Sequence, residues 1–314
     1  MLMLKPLPFP HPKPFVPPRP KRLPRGKRVT IAAAFSVSDG IVLCADTQEV
    51  IPGYTKNQTE KIRESLASDH EFGLLMVGAG DTDLIEAAMQ TIEKAIEKEH
   101  YDSEHFVGEK TRPIVEAAFR SFFNNNIAPY ASFPRDDRPS IELLIAVRDA
   151  HNNYVFKASG ATVREVEDGT ADCIGSGTLL ARNLIDRFYD PFMALDELVI
   201  AACYIMFQIE KYEINCGGPT DLYVSSHKHN VFSRIPPIAL QEAESLFGHF
   251  DAHTSHMLRS FPNPNVNNEK FDHEFKHTQE WMIKRRQKIL ESEGTLFHYL
   301  QKLGSLPSAK SGQK

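Results

Sequence analysis

Apolar residues run almost unbroken through Thr30-Ile31-Ala32-Ala33-Ala34-Phe35 and again through Ile41-Val42-Leu43-Cys44-Ala45, with Ser38-Asp39-Gly40 between them. Two short apolar runs divided by a polar, glycine-containing turn predict a buried β-hairpin, followed by an outgoing loop that ends near Ile62. Phe72 to Val77 predicts another strand. The period then changes: Leu84, Ile85, Ala88, Met89, Ile92 and Ile96 recur at helical spacing and predict a helix over 81–99. A second helix is predicted over 110–127, with Ile114, Val115, Ala118, Phe119 and Phe122 as its apolar positions. Residues 141–148 and 154–158 read as paired strands around His151, Asn152 and Asn153, and a strand near 172–174 follows. Helices over 179–188 and 195–212 precede a strand over 221–225. Beyond Pro236-Pro237 the pattern predicts a helix over 239–259, a Pro/Asn-rich break over 261–268 and one long helix over 271–303.

Strands, helices, strands, helices and strands in that order predict layered α+β architecture. A chain of 314 residues can bury a large core, and the segment lengths divide it into a tail at 1–29, a main domain at 30–237 and a helical C-terminal extension at 238–314. The tail is crowded with proline, including Pro6, Pro8, Pro10, Pro12 and Pro14, and up to residue 28 it has basic residues without an acidic one. It is expected to be extended or disordered, as a flexible tail or a removable propeptide, because proline denies it the helix of a transit peptide and the apolar core of a secretory signal.

The net charge of −5 gives no sign of a nucleic-acid-binding domain. No apolar run reaches the roughly 20 residues that span a bilayer. Cys44, Cys173, Cys203 and Cys216 are scattered, without a CxxC pair, which fits a cytoplasmic protein with reduced thiols. His249, His253 and His256 share a helix face, but without cysteine partners and with Asp251 off that face they read as solvent-facing side chains, and no metal is assigned. Lys284-Arg285-Arg286 reads as a solvated helix surface.

Thr30 at a strand start, Asp46 at a strand end and Lys61 after a loop place a hydroxyl, a carboxylate and an ammonium on one hairpin. Threonine is a weak nucleophile at its own pKa and needs a base nearby; its own free α-amino group is one solution, which requires Thr30 to become residue one. Further along stand Asn57-Gln58-Thr59-Glu60-Lys61-Ile62, Val77-Gly78-Ala79-Gly80-Asp81, Ile174-Gly175-Ser176-Gly177 and Glu213-Ile214-Asn215-Cys216-Gly217-Gly218. This ordered set, from Thr30 to about Pro237, resembles the proteasome β-subunit family of N-terminal nucleophile hydrolases.

The resemblance implies a four-layer αββα sandwich. It implies a threonine endopeptidase in which Thr30 is the nucleophile, Lys61 and Asp46 tune it, and Gly80 N–H forms the oxyanion hole. Ser176, Glu213 and Cys216 would support the amine and the water, with glutamate and cysteine standing where the family has aspartate and serine. No cofactor is implied. The implied partners are peptide or unfolded protein as substrate, further copies of the chain in a homo-oligomeric ring, and an ATPase regulator. A non-catalytic ring subunit and an amidohydrolase acting on a small amide are the alternatives. Val29 is β-branched and crowds the carbonyl that Thr30 would attack in self-removal of the tail, so self-cleavage is expected to be slow or absent.

Overall fold

The computed structural model describes residues 27–28, 30–50, 56–66, 72–102, 110–134, 138–149, 152–227, 232–263, 265–291 and 295–305. Apart from Lys27 and Arg28, the proline-rich tail lies outside the described residues, as does Val29. Two antiparallel sheets face each other. The first sheet contains β1 (Lys27–Arg28), β6 (Arg63–Leu66), β7 (Gly73–Asp81), β8 (Ile141–Arg148), β9 (Asn153–Ser159) and β10 (Thr162–Val166). The second contains β2 (Ile31–Val37), β3 (Gly40–Asp46), β11 (Ala171–Gly175), β12 (Thr220–Ser226) and β13 (Phe232–Arg234), in the order β11-β2-β3-β12-β13. A small ribbon, β4 (Gln48–Val50) with β5 (Lys56–Gln58), leads out of β3.

The unbroken apolar run of β2 has a direct cause in this layering. Side chains alternate across a strand, so both faces of β2 need cover. Ile31, Ala33, Phe35 and Val37 point into the layer under α3 (Thr178–Phe188) and α4 (Leu195–Tyr212), while Ala32 and Ala34 point into the core between the sheets. On the other side, α1 (Thr82–Asp102) and α2 (Thr111–Asn126) cover the first sheet through Ile85, Met89, Ile92, Val115 and Phe119. Helix, sheet, sheet, helix is the αββα sandwich.

Three helices follow. Pro237 opens α5 (Pro237–Ser260), where a missing N–H costs nothing. Leu240, Ala243 and Phe247 of α5 pack on the outer face of α4, with the Phe247 ring 5.3 Å from Tyr204 and 6.0 Å from Phe207. Helix α4 is therefore apolar on the sheet side and on the α5 side. The long helix expected over 271–303 is instead two, α6 (Asn268–Glu291) and α7 (Leu296–Ser305). Thr295 Oγ1 accepts the His298 N–H at 3.3 Å and caps the second of them. Leu296 and Leu300 then turn back into the α4–α5 core.

Of the three histidines of α5, His249 and His256 are exposed, as expected, and His253 is half-buried. His249 and His253 lie with ring centroids 6.2 and 4.4 Å from Trp281 of α6, and His256 Nε2 stands 3.3 Å from Glu274 Oε2. All three lie on the side of α5 that faces α6. Asp251 faces α4 and accepts hydrogen bonds from Tyr204, Gln208 and Lys211.

Phe119 is fully buried between α2 and the first sheet, whereas Phe192, in the turn between α3 and α4, is 95% exposed. Phe119→Ala should lower unfolding stability by about 3–5 kcal/mol, and Phe192→Ala should stay within roughly 0.5 kcal/mol of the parent in urea titration.

Candidate active site

The candidate site sits where one end of the second sheet meets β7. Strand β2 enters it at Thr30, whose side chain is fully buried and whose Oγ1 has no hydrogen-bond partner among the described residues. The next residue, Ile31, donates its N–H to Asp46 Oδ1 at 3.0 Å. Asp46 stands at the end of the neighbouring strand because the tight turn at Ser38 and Asp39 sets the β2–β3 register, pairing Val37 with Gly40 and Ala32 with Ala45.

Lys61 arrives after the β4–β5 ribbon with its ammonium fully buried. Nζ donates to Asp46 Oδ1 at 2.7 Å and to Gln48 O at 2.6 Å. The second carboxylate oxygen of Asp46 accepts Gly217 N–H at 3.2 Å. A charge with two N–H donors and an ammonium around it can stay in a dry interior where a lone carboxylate could not. Burial pushes the Asp46 carboxyl above its ordinary range, and the charge and hydrogen bond of Lys61, with the Ile31 and Gly217 N–H groups, work against that shift.

The Gly-Ser-Gly run wraps the Thr30 carbonyl. Ser176 N–H donates to Thr30 O at 3.0 Å, and Ser176 Oγ lies 3.5 Å from the same oxygen. Gly175 is held at φ +98°, and a Cβ there would fall 1.9 Å from Thr30 O, so only glycine lets β11 approach so closely. Ser176 Oγ is also 3.9 Å from Cys216 Sγ. The Cys-Gly-Gly run has a second job: Gly217 O accepts Gln48 N–H at 2.8 Å, and a Cβ on Gly217 would press on the Gln48 side chain.

Gly80 lies on β7, one residue from Ala79, whose Cβ is within contact of the Gly175 position. It is held at φ +122° by the bond from Asp81 N–H to Ser140 O, and helix α1 starts two residues later. A backbone donor there feels the positive end of the helix. The strand β1 pairs with this edge, Arg28 opposite Gly80 and Lys27 opposite Asp81.

Thr30, Asp46, Lys61, Ser176 and Cys216 thus share one cluster, linked by direct contacts and by Gly217, with Gly80 on the adjoining strand edge. The Glu213 carboxylate makes no hydrogen bond to this cluster among the described residues, although its charge helps to raise the Cys216 thiol. Glu213 follows the last turn of α4, donates its N–H to Ile209 O, and its Oε1 accepts from Asn215 Nδ2 at 3.4 Å. Sequence reasoning missed Gln48, whose backbone carbonyl holds Lys61, and gave no role to Gly175. The signal for Gly175 was present in the Gly-Ser-Gly run, whereas a backbone carbonyl leaves no mark on residue type.

Burial, with the Asp46 charge behind it, pushes the Cys216 thiol up to about 12, so it stays protonated at neutral pH and cannot serve as a thiolate nucleophile. Burial also raises Cys44, Cys173 and Cys203. The hydroxyl of Thr30 is left as the nucleophile-type group of the cluster with an uncommitted oxygen. Among the described residues, no group of three or more His, Cys, Asp or Glu could hold a metal ion.

Comparison with protein families finds the proteasome subunit family over residues 27–224. Among solved structures, Anbu (ancestral beta-subunit) from Yersinia bercovieri superposes with a TM-score of 0.56 at 16% identity, over 72% of this chain and 96% of that one. The helical assembly of the Anbu complex from Pseudomonas aeruginosa gives 0.59 at 13% identity, over 74% and 98%. Anbu from Hyphomicrobium sp. strain MC1 gives 0.52 at 17% identity, over 70% and 97%. A comparison with curated proteins finds no match.

Removing Lys61 alone strands the Asp46 carboxylate in the interior. Lys61→Ala should destabilise the protein by about 3–5 kcal/mol, and a double-mutant cycle with Asp46→Ala should show that the double variant loses less than the two single losses added together. The thiols give an independent check of the closed site: native protein should resist iodoacetamide at neutral pH, and all four cysteines should react once it is unfolded.

Proposed function

The chain belongs to the proteasome subunit family, and on that premise we propose that it is a threonine endopeptidase subunit that self-assembles and cleaves peptides or unfolded protein. The observation that carries this reading is the Thr30 hydroxyl, buried, without a hydrogen-bond partner among the described residues, and one peptide unit from the Asp46–Lys61 pair. In the active form the chain begins at Thr30. Its Oγ attacks the carbonyl carbon of the scissile peptide, the α-amine accepts the hydroxyl proton directly or through water, and Gly80 N–H stabilises the oxyanion. The tetrahedral species collapses to an acyl-threonine ester as the proton passes to the leaving amine. Water then attacks the ester, with the same amine as base, and releases the carboxylate product. An α-amino group titrates near 7.7–8.0 in the absence of perturbation, so the neighbouring Lys61 charge enlarges its neutral fraction. Asp46 holds Lys61 in place.

Ser176 holds the Thr30 carbonyl and so fixes the direction of the nucleophile, with Cys216 as a neutral neighbour. Glu213 stays a candidate support at one remove, through the loop it begins. Assembly is proposed from the family and from the complexes formed by Anbu proteins, with the α1 and α2 layer as the candidate contact surface. Four free, buried thiols agree with the reducing cytoplasm.

One observation favours a second reading, a non-catalytic ring subunit. Strand β1 runs along β7 directly before Thr30, so in the full chain the would-be base is a peptide nitrogen and the Gly80 edge is occupied.

The two readings separate in one experiment on peptide hydrolysis. The full chain is compared with a form made to begin at Thr30 by methionine removal from a Met-Thr start, each N-terminus verified by intact mass. The shortened form should turn over peptide and the full chain should not. Thr30→Ala in the shortened form should cost roughly four to six orders of magnitude in kcat/KM with the fold intact. A folded, shortened protein without turnover favours the ring-subunit reading, and equal turnover by both forms removes the α-amine mechanism.

A further inference from the structure

The two halves of the candidate site belong to different sheets. Thr30 leads into β2 of the second sheet, and Gly80 lies on β7 of the first. One short piece of chain, Ser140 to Glu142 at the start of β8, touches both halves. On the Gly80 side, Ser140 O accepts the Asp81 N–H at 3.0 Å, and Ile141 is the strand partner of Gly80. Glu142 is the partner of Ala79, and its half-buried carboxylate crosses to the other sheet. Its Oε2 accepts the Gly175 N–H at 3.3 Å, and its Oε1 accepts the Ser159 hydroxyl at 3.4 Å.

Gly175 needs an acceptor from outside its own sheet. Strand β11 is an edge strand, with β2 on one side alone. The Ser176 N–H turns toward β2 and holds Thr30 O at 3.0 Å. Neighbouring residues of an antiparallel strand alternate between bonded and non-bonded positions, so the Gly175 N–H faces away from β2. The first sheet meets this edge at a second point, where Lys157 Nζ of β9 donates to Cys173 O at 2.8 Å and to Asp172 Oδ1 at 3.0 Å. At Gly175 the conformation depends on the bonds to either side, since glycine brings no side chain to anchor it. The carboxylate of Glu142 takes its N–H, and its carbonyl accepts the Thr178 hydroxyl at 2.7 Å.

We propose that Glu142 is a positioning residue for Thr30: its carboxylate fixes the Gly175 N–H and thereby, through the Ser176 N–H, sets the Thr30 carbonyl at a constant distance from the Gly80 edge. No bond-making step passes through Glu142. Its contribution is that of a hydrogen-bond acceptor on a rigid strand. A nucleophile and an oxyanion donor carried on separate sheets have to be held to within about 0.5 Å of the productive geometry, and a displacement of about 1 Å costs on the order of 100-fold in rate. For turnover the role rests on the peptidase function proposed above; for the placing of the Thr30 carbonyl it does not.

The test has one arm without hydrolysis and one with it. In the first, amide exchange of Gly175 and Ser176 is measured in the folded full-length protein, relative to Leu144 within β8, so that a general loss of stability cancels. Glu142→Ala should speed this relative exchange by about tenfold or more, and Glu142→Gln, which keeps an acceptor of the same shape, should stay within about threefold of the parent. Should Glu142→Ala not fold, Glu142→Asp withdraws the acceptor by one methylene and should give the same rise. Unchanged relative exchange in the folded acceptor-deficient variant overturns the proposal, as does a Glu142→Gln protein that exchanges as fast as Glu142→Ala.

In the second arm, the form beginning at Thr30 carries the same substitutions. Glu142→Ala should lower kcat by about tenfold or more with KM within about twofold, and Glu142→Gln should recover kcat to within about threefold. Phe119→Ala, which loses packing under α2 and not at the site, should leave kcat as in the parent. A change confined to KM, or an unchanged kcat in an active protein whose Gly175 exchange has risen, overturns the role in turnover. If the shortened parent form turns over no peptide, the function proposed above fails, and the exchange arm still decides whether Glu142 places the Thr30 carbonyl.

Discussion

The Asp46 carboxylate is the constraint around which the rest is arranged. One oxygen takes the Ile31 N–H and the Lys61 ammonium, the other takes Gly217 N–H. Those donors come from three separate parts of the chain, so a single buried anion fixes the start of β2, the exit of the β4–β5 ribbon and the loop after α4. Its burial is tolerable because each donor also satisfies a need of its own: the ammonium would be stranded without the carboxylate, and two backbone N–H groups would be left in an apolar core. Fold and candidate chemistry are therefore inseparable here. A change that loosens the anion loosens the strand that follows Thr30.

Layering explains why so small a set of contacts can be positioned so well. The strands that carry Thr30 and Asp46 are covered on both faces, by the other sheet and by α3 and α4, and neither end of the hairpin has a solvated face on which to shift register. The C-terminal helices extend that cover. Helix α4 is apolar toward α5 as well as toward the sheet, which ties residues beyond the matched family region to the back of the site.

Much of this was legible in the sequence, and what was not had physical reasons. The β2–β3 hairpin and helices α1 to α5 follow from runs and periods, which alone support layered α+β; the αββα order came from the resemblance to the proteasome β-subunit family. Thr30, Asp46 and Lys61 are ordinary residues taken singly; they were legible through their order with the glycine motifs, which resembles that of the proteasome β-subunit family. Strand β10 was missed: Thr162-Val163-Arg164-Glu165-Val166 has two apolar residues and pairs along an otherwise finished edge. The break between α6 and α7 carried a signal, Gly294 before the cap Thr295, but the surrounding helical pattern masked it. The motif reading put weight on Glu213 by its place before Cys-Gly-Gly, yet the end of α4 turns that side chain toward Asn215.

The outer edge of β7 is divided between two strands. Strand β6 pairs with it from Gly73 to Met76 and β1 with Gly80 and Asp81. Bare strand edges recruit other chains, and proteins usually keep them short, charged or covered. The segment before Thr30 is thus a cover whose loss leaves two residues of backbone open to any extended polypeptide. A form that began at Thr30 would therefore present a bare stretch of β7 edge, at Gly80 and Asp81, to its surroundings.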